Sequence, residues 1–333
     1  MRIASILLGL LMITGCSESE KTLRGYSGNI GEVVVVCSDE TWEGPIGTAM
    51  KTHFADIIYG LPQDEASFNL IHFKKSSFSS IIQGQRNIVY ITVDPKLTES
   101  SYQVLKNKFA RGQLFLDLRS MHQDSLSAFI EEKGAEMAQK FNDIELNRLY
   151  LRNKKFGSKE LSKRILDSMQ IELVLQKDMY IEKLAQNKTW LRIERERTKG
   201  GFKHQISQGV FVFTKAYRAR EDFTEQNLIE FCDSMLMANL PGPSEGSYMQ
   251  IAKEPIEARS SEINYRGSYG REFRGLWYMK NNFMGGGFIY LACLDEKRDR
   301  VVGAFGYVFA PGFDKREYVR EVEAIVKSLK FQE

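Results

Sequence analysis

The stretch Leu240-Pro241-Gly242-Pro243-Ser244-Glu245-Gly246-Ser247-Tyr248-Met249 is the most turn-prone part of the sequence after its N-terminal leader. Two prolines and two glycines within ten residues favour tight turns and end a helix. The residues before it, 224–239, have a helical pattern, whereas the residues after it are rich in strand-forming runs. The stretch therefore predicts the end of a helix and the start of the last group of strands.

The same stretch contains a G-x-S-x-G motif centred on Ser244. In a hydrolase elbow the serine follows a strand, precedes a helix and works with a later histidine. Here a helix precedes the motif, and all four histidines come before it: His53, His72, His122 and His204. We interpret the motif as a structural turn in which Ser244 or Ser247 caps backbone groups. A hydrolase with another residue order or a lysine base is the alternative.

The N-terminus has the pattern of a secretory signal peptide. Met1 and Arg2 precede an apolar run at 3–13, which is shorter than the ~20 residues that a membrane-spanning helix needs. The small residues before Cys16 form a lipobox, so we predict a signal peptide at 1–15 and acylation of Cys16. Acyl chains on Cys16 would anchor the protein to a membrane. We expect an outer-membrane location, with the periplasmic and surface faces left open.

Composition excludes some functions. Residues 16–30 are polar and glycine-rich, which predicts a flexible tether. The chain has 43% hydrophobic residues and a net charge of only +3, so it can bury large cores and shows no polyelectrolyte character. We therefore expect no nucleic-acid partner. Cys37, Cys232 and Cys293 lie in apolar runs, which predicts buried thiols instead of a disulfide framework.

The first half of the mature chain alternates strands with helices. Strands are predicted at 32–37, 68–73, 87–94 and 113–118, and helices at 45–57, 77–82 and 124–156, with 101–110 ambiguous. The run EVVVVC at 32–37 is typical of a buried parallel strand. Ser158 is a plausible N-cap for a further helix that ends near Met169. The pattern predicts an α/β domain at 31–170 that ends in long helices.

The second half is predicted to be a strand-rich α+β domain at 171–333, with a largely antiparallel sheet flanked by helices. Strands are expected at 171–176, 190–197, 209–217, 262–270, 273–279, 288–295 and 301–310. Alternation at 191–196 indicates one buried and one wet face. Two helices are expected, at 224–239 with Thr224 as cap and at 314–330 with Asp314 as cap.

Carboxylates follow the first predicted strand. Asp39, Glu40 and Glu43 surround Trp42 at the carboxyl end of the sheet, where open α/β folds bind ligands. Trp42 could stack on a sugar or a peptide. The alternative is that these acids stabilise a helix N-terminus through its dipole.

The sequence contains no recognisable metal-binding or nucleotide-binding motif. The sequence lacks H-E-x-x-H and C-x-x-C, and its glycines have the wrong spacing for a dinucleotide fingerprint. The triple glycine at 285–287 precedes a strand, which suggests a hairpin turn or a close passage of backbone. We therefore expect no metal and no cofactor.

Several segments resemble a family of uncharacterised lipoproteins from Bacteroidetes. They are DETWEGPIG at 39–47, PGPSEGSYM at 241–249, RGLW at 274–277 with MGG at 284–286, and YVFAP at 307–311 before KREY at 315–318. The resemblance brings no known activity. The closing order of strands and helix also loosely resembles the PsbP-like α-β-α fold, and a fold alone does not define a function.

Two functions follow from this reading. The first is a non-catalytic, lipid-anchored binding or assembly factor at the outer membrane, with an envelope protein or a glycan as partner. It fits the aromatic residues Trp42, Tyr248 and Trp277, which we interpret as exposed. The second is an envelope hydrolase that uses Ser244 or the carboxylates near Trp42. The candidate binding residues are Asp39, Glu40, Trp42, Glu43, Ser244, Glu245, Tyr248, Arg274 and Trp277.

Overall fold

The computed structural model describes residues 23–332, which form two halves, each with its own sheet. The first half has a five-stranded sheet in the order β2-β1-β3-β5-β4, parallel except for β4. Its elements are β1 (Glu32–Val36), α1 (Asp39–Glu43), α2 (Pro45–Phe54), β2 (Asn69–Phe73), α3 (Ser80–Gln83), β3 (Asn87–Val93), β4 (Ser101–Lys106), β5 (Leu114–Ser120), α4 (Gln123–Phe156) and α5 (Lys159–Met169).

The two faces of the first sheet are covered unequally. One face packs against α2 and α4 in a core that includes Val35, Met50 and Phe141. The other face has a smaller cluster around Val36, Ile88 and Phe115, covered by the short α3 and by loops. We call this second face the α3 face. A parallel sheet is normally covered by helices on both faces, so the α3 face has unusually little helical cover.

The second half has an eight-stranded antiparallel sheet in the order β10-β12-β13-β14-β9-β8-β7, with β11 also paired to β12. Its elements are β6 (Ile171–Glu172), β7 (Tyr180–Ala185), β8 (Lys188–Lys199), β9 (Phe202–Ala216), α6 (Glu225–Asn239), β10 (Tyr248–Ile251), β11 (Arg259–Tyr265), β12 (Ser268–Lys280), β13 (Gly285–Asp295), β14 (Arg300–Phe309), α7 (Arg316–Val326) and β15 (Lys330–Phe331).

Alternation along these long strands creates two apolar faces. One packs against α5 and α7 through residues such as Val210, Ile289 and Ile325. The other packs against α6 through an aromatic cluster that includes Phe211 and Tyr290. The predicted fold class is therefore confirmed: an α/β half is followed by an antiparallel sheet with helices on both sides.

Local caps formed where they were predicted. Ser158 Oγ accepts a hydrogen bond from the Leu161 N–H at the start of α5, and Thr224 Oγ1 accepts one from the Asn227 N–H at the start of α6. Both side chains satisfy a backbone donor that the first helical turn would otherwise leave unpaired.

Some predicted boundaries were wrong. The strand expected at 171–176 ends at Glu172, and the strand expected at 262–270 is a hairpin that turns at Arg266 and Gly267. The ambiguous segment at 101–110 contains β4. The predicted Asp314 cap is also wrong, because α7 begins at Arg316 and the Glu65 carboxylate accepts the Lys315 and Arg316 N–H groups at 2.7–2.8 Å.

Glu65 belongs to a loop of the first half that packs against the second half. Leu61 on this loop is buried in the core of the second half, and Gly60 lies against the backbone of Gly275. Arg320 of α7 donates to the Ser67 carbonyl oxygen at 2.6 Å. One residue of the first half is thus buried in the core of the second half, and another caps a helix of the second half. The domain boundary at 170 stays a prediction.

The tether prediction needs correction at 23–30. Gly25 and Ser27 form bridges with Arg111 and Gln85, at the end of the sheet where β3 and β5 begin. The Tyr26 ring lies against the guanidinium groups of two buried arginines, Arg86 at 5.0 Å and Arg148 at 4.7 Å. Cation–π contacts and backbone pairing therefore hold a segment whose composition indicates flexibility.

The predicted signal peptide at 1–15 and the acylated Cys16 lie outside the described residues. Between residues 23 and 332, no helix combines the length and apolar character needed to cross a membrane.

Candidate functional site

A pocket of about 410 Å³ opens on the α6 side of the second sheet, beneath the Leu240–Met249 turn. It is lined by Tyr180, Trp190, Arg192, Glu194, Gln205, Ser207, Leu240, Pro241, Gly242, Pro243, Met249, Trp277, Met279, Met284, Tyr307 and Phe309. We call it the aromatic pocket. Its volume lies within the ~300–1,000 Å³ range of small-ligand sites, and a mostly apolar lining with a few polar groups is typical of such sites.

Three aromatic side chains form the floor of the aromatic pocket. Trp190 Nε1 donates to Tyr307 Oη at 3.1 Å, and Trp277 Nε1 donates to the Val308 carbonyl oxygen at 3.2 Å. The rings of Trp277 and Tyr307 meet edge to face, with centroids 5.5 Å apart. Because both indole N–H groups are satisfied inside the protein, the floor is fixed before any ligand arrives.

Strand alternation and one glycine explain how this floor forms. Trp190 and Arg192 on β8 share a face, as do Phe305, Tyr307 and Phe309 on β14. On β9, a Cβ at Gly209 would overlap the Tyr307 ring. Glycine at 209 therefore leaves the space in which the tyrosine lies flat across the sheet.

Charged residues form one side of the aromatic pocket. The Arg192 guanidinium lies 5.0 Å from the centre of the Trp190 ring and pairs with Glu194. Gln205 Nε2 donates to the same Glu194 carboxylate at 2.6 Å. Arg192 Nε is buried and has no hydrogen-bond partner among the described residues. A buried donor without a partner costs stability, so the pocket wall contains an unsatisfied polar group.

Burial keeps the Tyr307 hydroxyl protonated. It raises the pKa of Tyr307 to about 12, although Arg192 and the bond from Trp190 act in the opposite direction. At neutral pH the hydroxyl is therefore a proton donor, and its oxygen already accepts the Trp190 N–H. The floor thus offers a polar contact to a ligand.

The Leu240–Met249 turn forms the roof of the aromatic pocket. Gly242 N–H donates to the Ser247 carbonyl oxygen at 2.9 Å, and Ser247 Oγ donates to the Ser244 carbonyl oxygen at 2.5 Å. Gly246 has φ of +69°, the left-handed region that glycine adopts without strain. These bonds give the stretch the geometry of a local turn, with Ser247 as the residue that bonds the backbone.

The surroundings of Ser244 differ from those of a nucleophile elbow. Ser244 Oγ accepts a hydrogen bond from Asn282 Nδ2 at 2.8 Å, and an amide cannot act as the general base. The element before the motif is α6, where an elbow has a strand. Glu245 next to it is exposed. The role of Ser244 visible in the structure is to connect the roof to the hairpin between β12 and β13.

The carboxylates near Trp42 lie far from this pocket, in the other half. Asp39–Glu43 is itself a short helix, α1, which Ser38 caps by accepting the Thr41 N–H. Asp39 pairs with Lys74 at 2.5 Å, with both side chains more than half exposed. The Trp42 ring is stacked on His72 with centroids 5.2 Å apart, and Lys51 lies over it. Protein groups thus already contact the ring that was expected to stack on a ligand.

Arg274 lies in a third place, a cleft of about 450 Å³ between the halves. Its guanidinium donates to Glu323 Oε1 at 2.6 Å and to Glu272 Oε1 at 2.9 Å. Burial by itself would lower the pKa of Arg274, but these two carboxylates raise it well above the ordinary value. Arg274 is therefore a charged partner in a structural network that joins β12 to α7.

The candidate binding residues are thus divided among three places. Trp277 lies in the pocket floor, Ser244, Glu245 and Tyr248 belong to the roof segment, and the others lie elsewhere. The prediction that Trp277 is exposed was wrong, because it is 1% accessible. Sequence reasoning missed Trp190, Arg192 and Tyr307. At 190–194 an aromatic residue shares a strand face with charged residues, and this pattern could have indicated a binding site.

The three thiols at Cys37, Cys232 and Cys293 are free and buried, as predicted. Burial raises the pKa of the Cys37 thiol to about 11 and raises those of the other two further. These thiols are therefore protonated and unreactive at neutral pH. No group of three or more His, Cys, Asp or Glu side chains within residues 23–332 is arranged to hold a metal ion.

These features define a two-part protein with an α/β half and an α-β-α sandwich that contains an aromatic pocket. Residues 158–328, half of the chain, match the family described as Domain of unknown function (DUF4837), and the chain belongs to that family. Residues 27–154 match a second family, described as Domain of unknown function (DUF8532). No curated protein matches the chain.

Solved structures of the protein Mog1 show a weak likeness to part of the chain. One is a point mutant of Mog1, at 10% identity and a TM-score of 0.30, with 49% of this chain and 92% of that chain covered. Another is the Saccharomyces cerevisiae Ran-binding protein Mog1p, at 12% identity and a TM-score of 0.29, with 49% and 91% covered. A likeness this weak says nothing about what the present chain does.

Proposed function

We propose that this protein is a lipid-anchored binding or assembly factor of the cell envelope, which acts at the outer membrane and holds an apolar group of its partner in the aromatic pocket. The observation that carries the proposal is the pocket itself. Its floor of Trp190, Trp277 and Tyr307 is fixed by internal hydrogen bonds and is open to a ligand from one side.

A preformed floor favours binding for an energetic reason. Side chains that are already ordered lose little entropy when a ligand arrives. Tryptophan and tyrosine side chains in desolvated pockets also contribute large shares of binding energy at interfaces. The Arg192 side chain and the Tyr307 hydroxyl, which both line the pocket, can then orient a polar atom of the ligand.

The pocket walls favour a protein partner over a glycan. Met249, Met279 and Met284 line the pocket together with Pro241 and Pro243. Methionine side chains adapt to apolar groups of varied shape and are common at surfaces that bind protein segments. We therefore propose that the partner inserts one or two apolar or aromatic side chains of an envelope protein.

The anchor is the second part of the proposal. The lipobox at Cys16 and the resemblance to Bacteroidetes lipoproteins support an acylated protein of that group. Acylation at this residue would leave only a short link before the first paired residues at 25–27, so the folded halves would stay close to the bilayer.

In-cell photocrosslinking tests the pocket. A benzoylphenylalanine at Tyr180 or Phe309, on the pocket wall, should capture one discrete partner band, and a probe at the exposed Phe156 on α4 should not. Adding Met284→Trp to fill the pocket should remove the band without changing the thermal midpoint by more than a few degrees. A band that survives the filling, or that appears equally at residue 156, would refute the role of the pocket.

Metabolic labelling tests the anchor. Palmitate label should enter the intact chain and disappear in Cys16→Ala, which should accumulate in an uncleaved or unanchored form. Label that persists in Cys16→Ala would overturn the lipoprotein part of the proposal and leave the pocket untouched.

A further inference from the structure

The α3 face of the first sheet has an unusual charge distribution. Three segments contribute to it or border it, at 23–31, 66–93 and 101–116, and none contains an Asp or a Glu. They carry seven basic residues: Arg24, Lys74, Lys75, Arg86, Lys106, Lys108 and Arg111. Lys74 pairs with Asp39, Arg86 is buried in an ion pair with Glu145, and Lys106 lies opposite Leu114 on the other face of the sheet. The cations left to the α3 face and its border are therefore Arg24, Lys75, Lys108 and Arg111. The whole chain has a net charge of only +3, so this basic character is local.

Apolar and aromatic side chains are mixed with these cations. Ile81 on α3 is 74% exposed, and its neighbour Ile82 packs with the half-buried Phe78, Tyr90 and Phe109. Lys108 Nζ lies 3.8 Å from the centre of the Phe115 ring. The ammonium group thus makes a cation–π contact with a ring of the apolar cluster, so cationic and aromatic groups adjoin on this face.

The position of the N-terminal segment indicates that a membrane surface, more than another partner, would lie against this face. Ser27 N–H donates to the Gly84 carbonyl oxygen at 2.9 Å, directly after α3, and Arg111 N–H donates to the Arg24 carbonyl oxygen at 2.7 Å. Cys16 lies seven residues before Leu23, a link that reaches at most ~25 Å when fully extended. An anchored Cys16 therefore keeps Ile81 and Arg111 within a short distance of the bilayer.

We propose that the α3 face docks onto an anionic lipid surface, with Lys75, Lys108 and Arg111 at the headgroups and Ile81 inserted among them. Lys75 Nζ lies 5.3 Å from the centre of the Tyr90 ring on this face. This inference rests on the proposed membrane anchor for its biological setting. Its physical basis is independent of acylation, because basic residues near an anionic bilayer each contribute to binding and apolar side chains add to it. The docked protein would then turn its aromatic pocket in a fixed direction relative to the membrane.

The test uses the chain from Cys16 to Glu333 with Cys16→Ser, which contains every described residue and carries no lipid. It should sediment with phosphatidylglycerol vesicles and much less with phosphatidylcholine vesicles, and added salt should weaken the binding. The triple variant Lys75→Gln, Lys108→Gln, Arg111→Gln should reduce the partition coefficient ~100-fold. Ile81→Ser should reduce it by a smaller factor, on the order of 3–10-fold.

A matched control separates this face from net charge. Lys154, Lys155 and Lys163 are exposed on α4 and α5, and their triple replacement by Gln removes the same charge. This control should bind vesicles like the parent. Equal loss in both triple variants, or equal binding to both kinds of vesicle, would overturn the docking surface. Stronger binding to single-stranded nucleic acid than to the vesicles would identify a different polyanion and also overturn it.

The outcome is distinguishable from failure of the anchor. If palmitate never labels Cys16 but the basic triple variant alone loses vesicle binding, the anchor is wrong and the docking surface stands. If Cys16 is labelled and the vesicles do not discriminate between the triple variants, the anchor stands and the docking surface is wrong.

Discussion

The two sheets of this protein are covered in different ways. The antiparallel sheet of the second half has α5 and α7 on one face and α6 on the other, and both faces are rich in fully buried residues. The parallel sheet of the first half has α2 and α4 on one face and only the short α3 with its loops on the other. The more open face is the one next to the N-terminal side of the described chain.

This difference corresponds to the different kinds of site proposed for the two halves. The second half covers both faces of its sheet with helices and has the aromatic pocket near the end of α6. The first half covers one face of its sheet only with the short α3 and with loops that carry cations. A face that is basic and half apolar is poorly suited to burial under a helix of the same chain, since it would bury unpaired charges. We therefore expect the halves to respond differently to mutation.

The largest expected effect lies on the covered side of the first sheet. Glu145 on α4 is completely buried and accepts hydrogen bonds from Arg86, Asn87 and Arg148. Glu145→Ala should lower the free energy of unfolding by ~3–5 kcal/mol, because it leaves two buried arginines without their counter-ion. Urea denaturation measures this, and the exposed Glu132→Ala on the same helix should change it by less than ~0.5 kcal/mol. Equal effects in both variants would mean that the network does not hold the sheet to α4.

A pH experiment probes the equivalent buried carboxylate in the second half. Burial alone would raise the pKa of Glu323, but Arg274 and Lys327 outweigh it and lower that pKa to about 2 from 4.5. The pKa is lower in the folded state, so this stabilisation is present above about pH 4.5 and is lost as the pH falls towards 2.

The difference in unfolding free energy between the parent and Glu323→Gln should therefore be largest at neutral pH and should shrink below about pH 4.5. Urea denaturation at a series of pH values checks this, with Glu245→Gln on the exposed turn as control. A difference that stays constant down to about pH 3 would contradict the assignment.

The seam between the halves should give an intermediate effect. The Glu65 carboxylate satisfies the Lys315 and Arg316 N–H groups at the start of α7. Glu65→Ala should cost ~1–3 kcal/mol, the range for buried donors left without a partner. It should also make the two halves unfold at separate temperatures in a calorimetric scan. A single transition shifted as a whole would show that the loop containing Leu61 is enough to couple them.

The smallest effects are expected in the pocket roof. Gly246 has positive φ and open space around it, so Gly246→Val should cost ~1–2 kcal/mol through backbone strain alone. Ser244→Ala removes only the bond from Asn282 and should cost ~0.5–1 kcal/mol with function retained in a complementation assay. A stable but inactive Ser244→Ala would restore the hydrolase hypothesis.

Local patterns predicted what depends on local physics. Apolar runs identified β1, β3 and β5. The caps at Ser158 and Thr224 were recognisable because a capping side chain and the N–H that donates to it lie within one helical turn. Glu65 was not recognisable as a cap, since it lies 250 residues from the Lys315 N–H that it binds. No periodicity within one segment contains that information.

The pocket was only partly predictable for the same reason. Trp190 and Tyr307 meet across 117 residues of sequence, so their contact depends on strand order. The sequence around Trp277 suggested an exposed binding residue. In the structure, however, the absence of a side chain at Gly286 lets β14 approach closely enough for the Trp277 indole to reach the Val308 carbonyl oxygen. The triple glycine did indicate a close passage of backbone, although not what would pass there.

The contacts that hold Tyr26 and its neighbours have a mechanical consequence. Tension applied from the N-terminal side of the chain would first act on Gly25 and Ser27, whose bridges to Arg111 and Gln85 run parallel to those strands. Pulling along such bridges loads them together in shear, and the Tyr26 ring would have to leave both arginines at the same moment. The first segment of the described chain is thus arranged so that a pull from its N-terminal side acts on these contacts before it acts on the sheet.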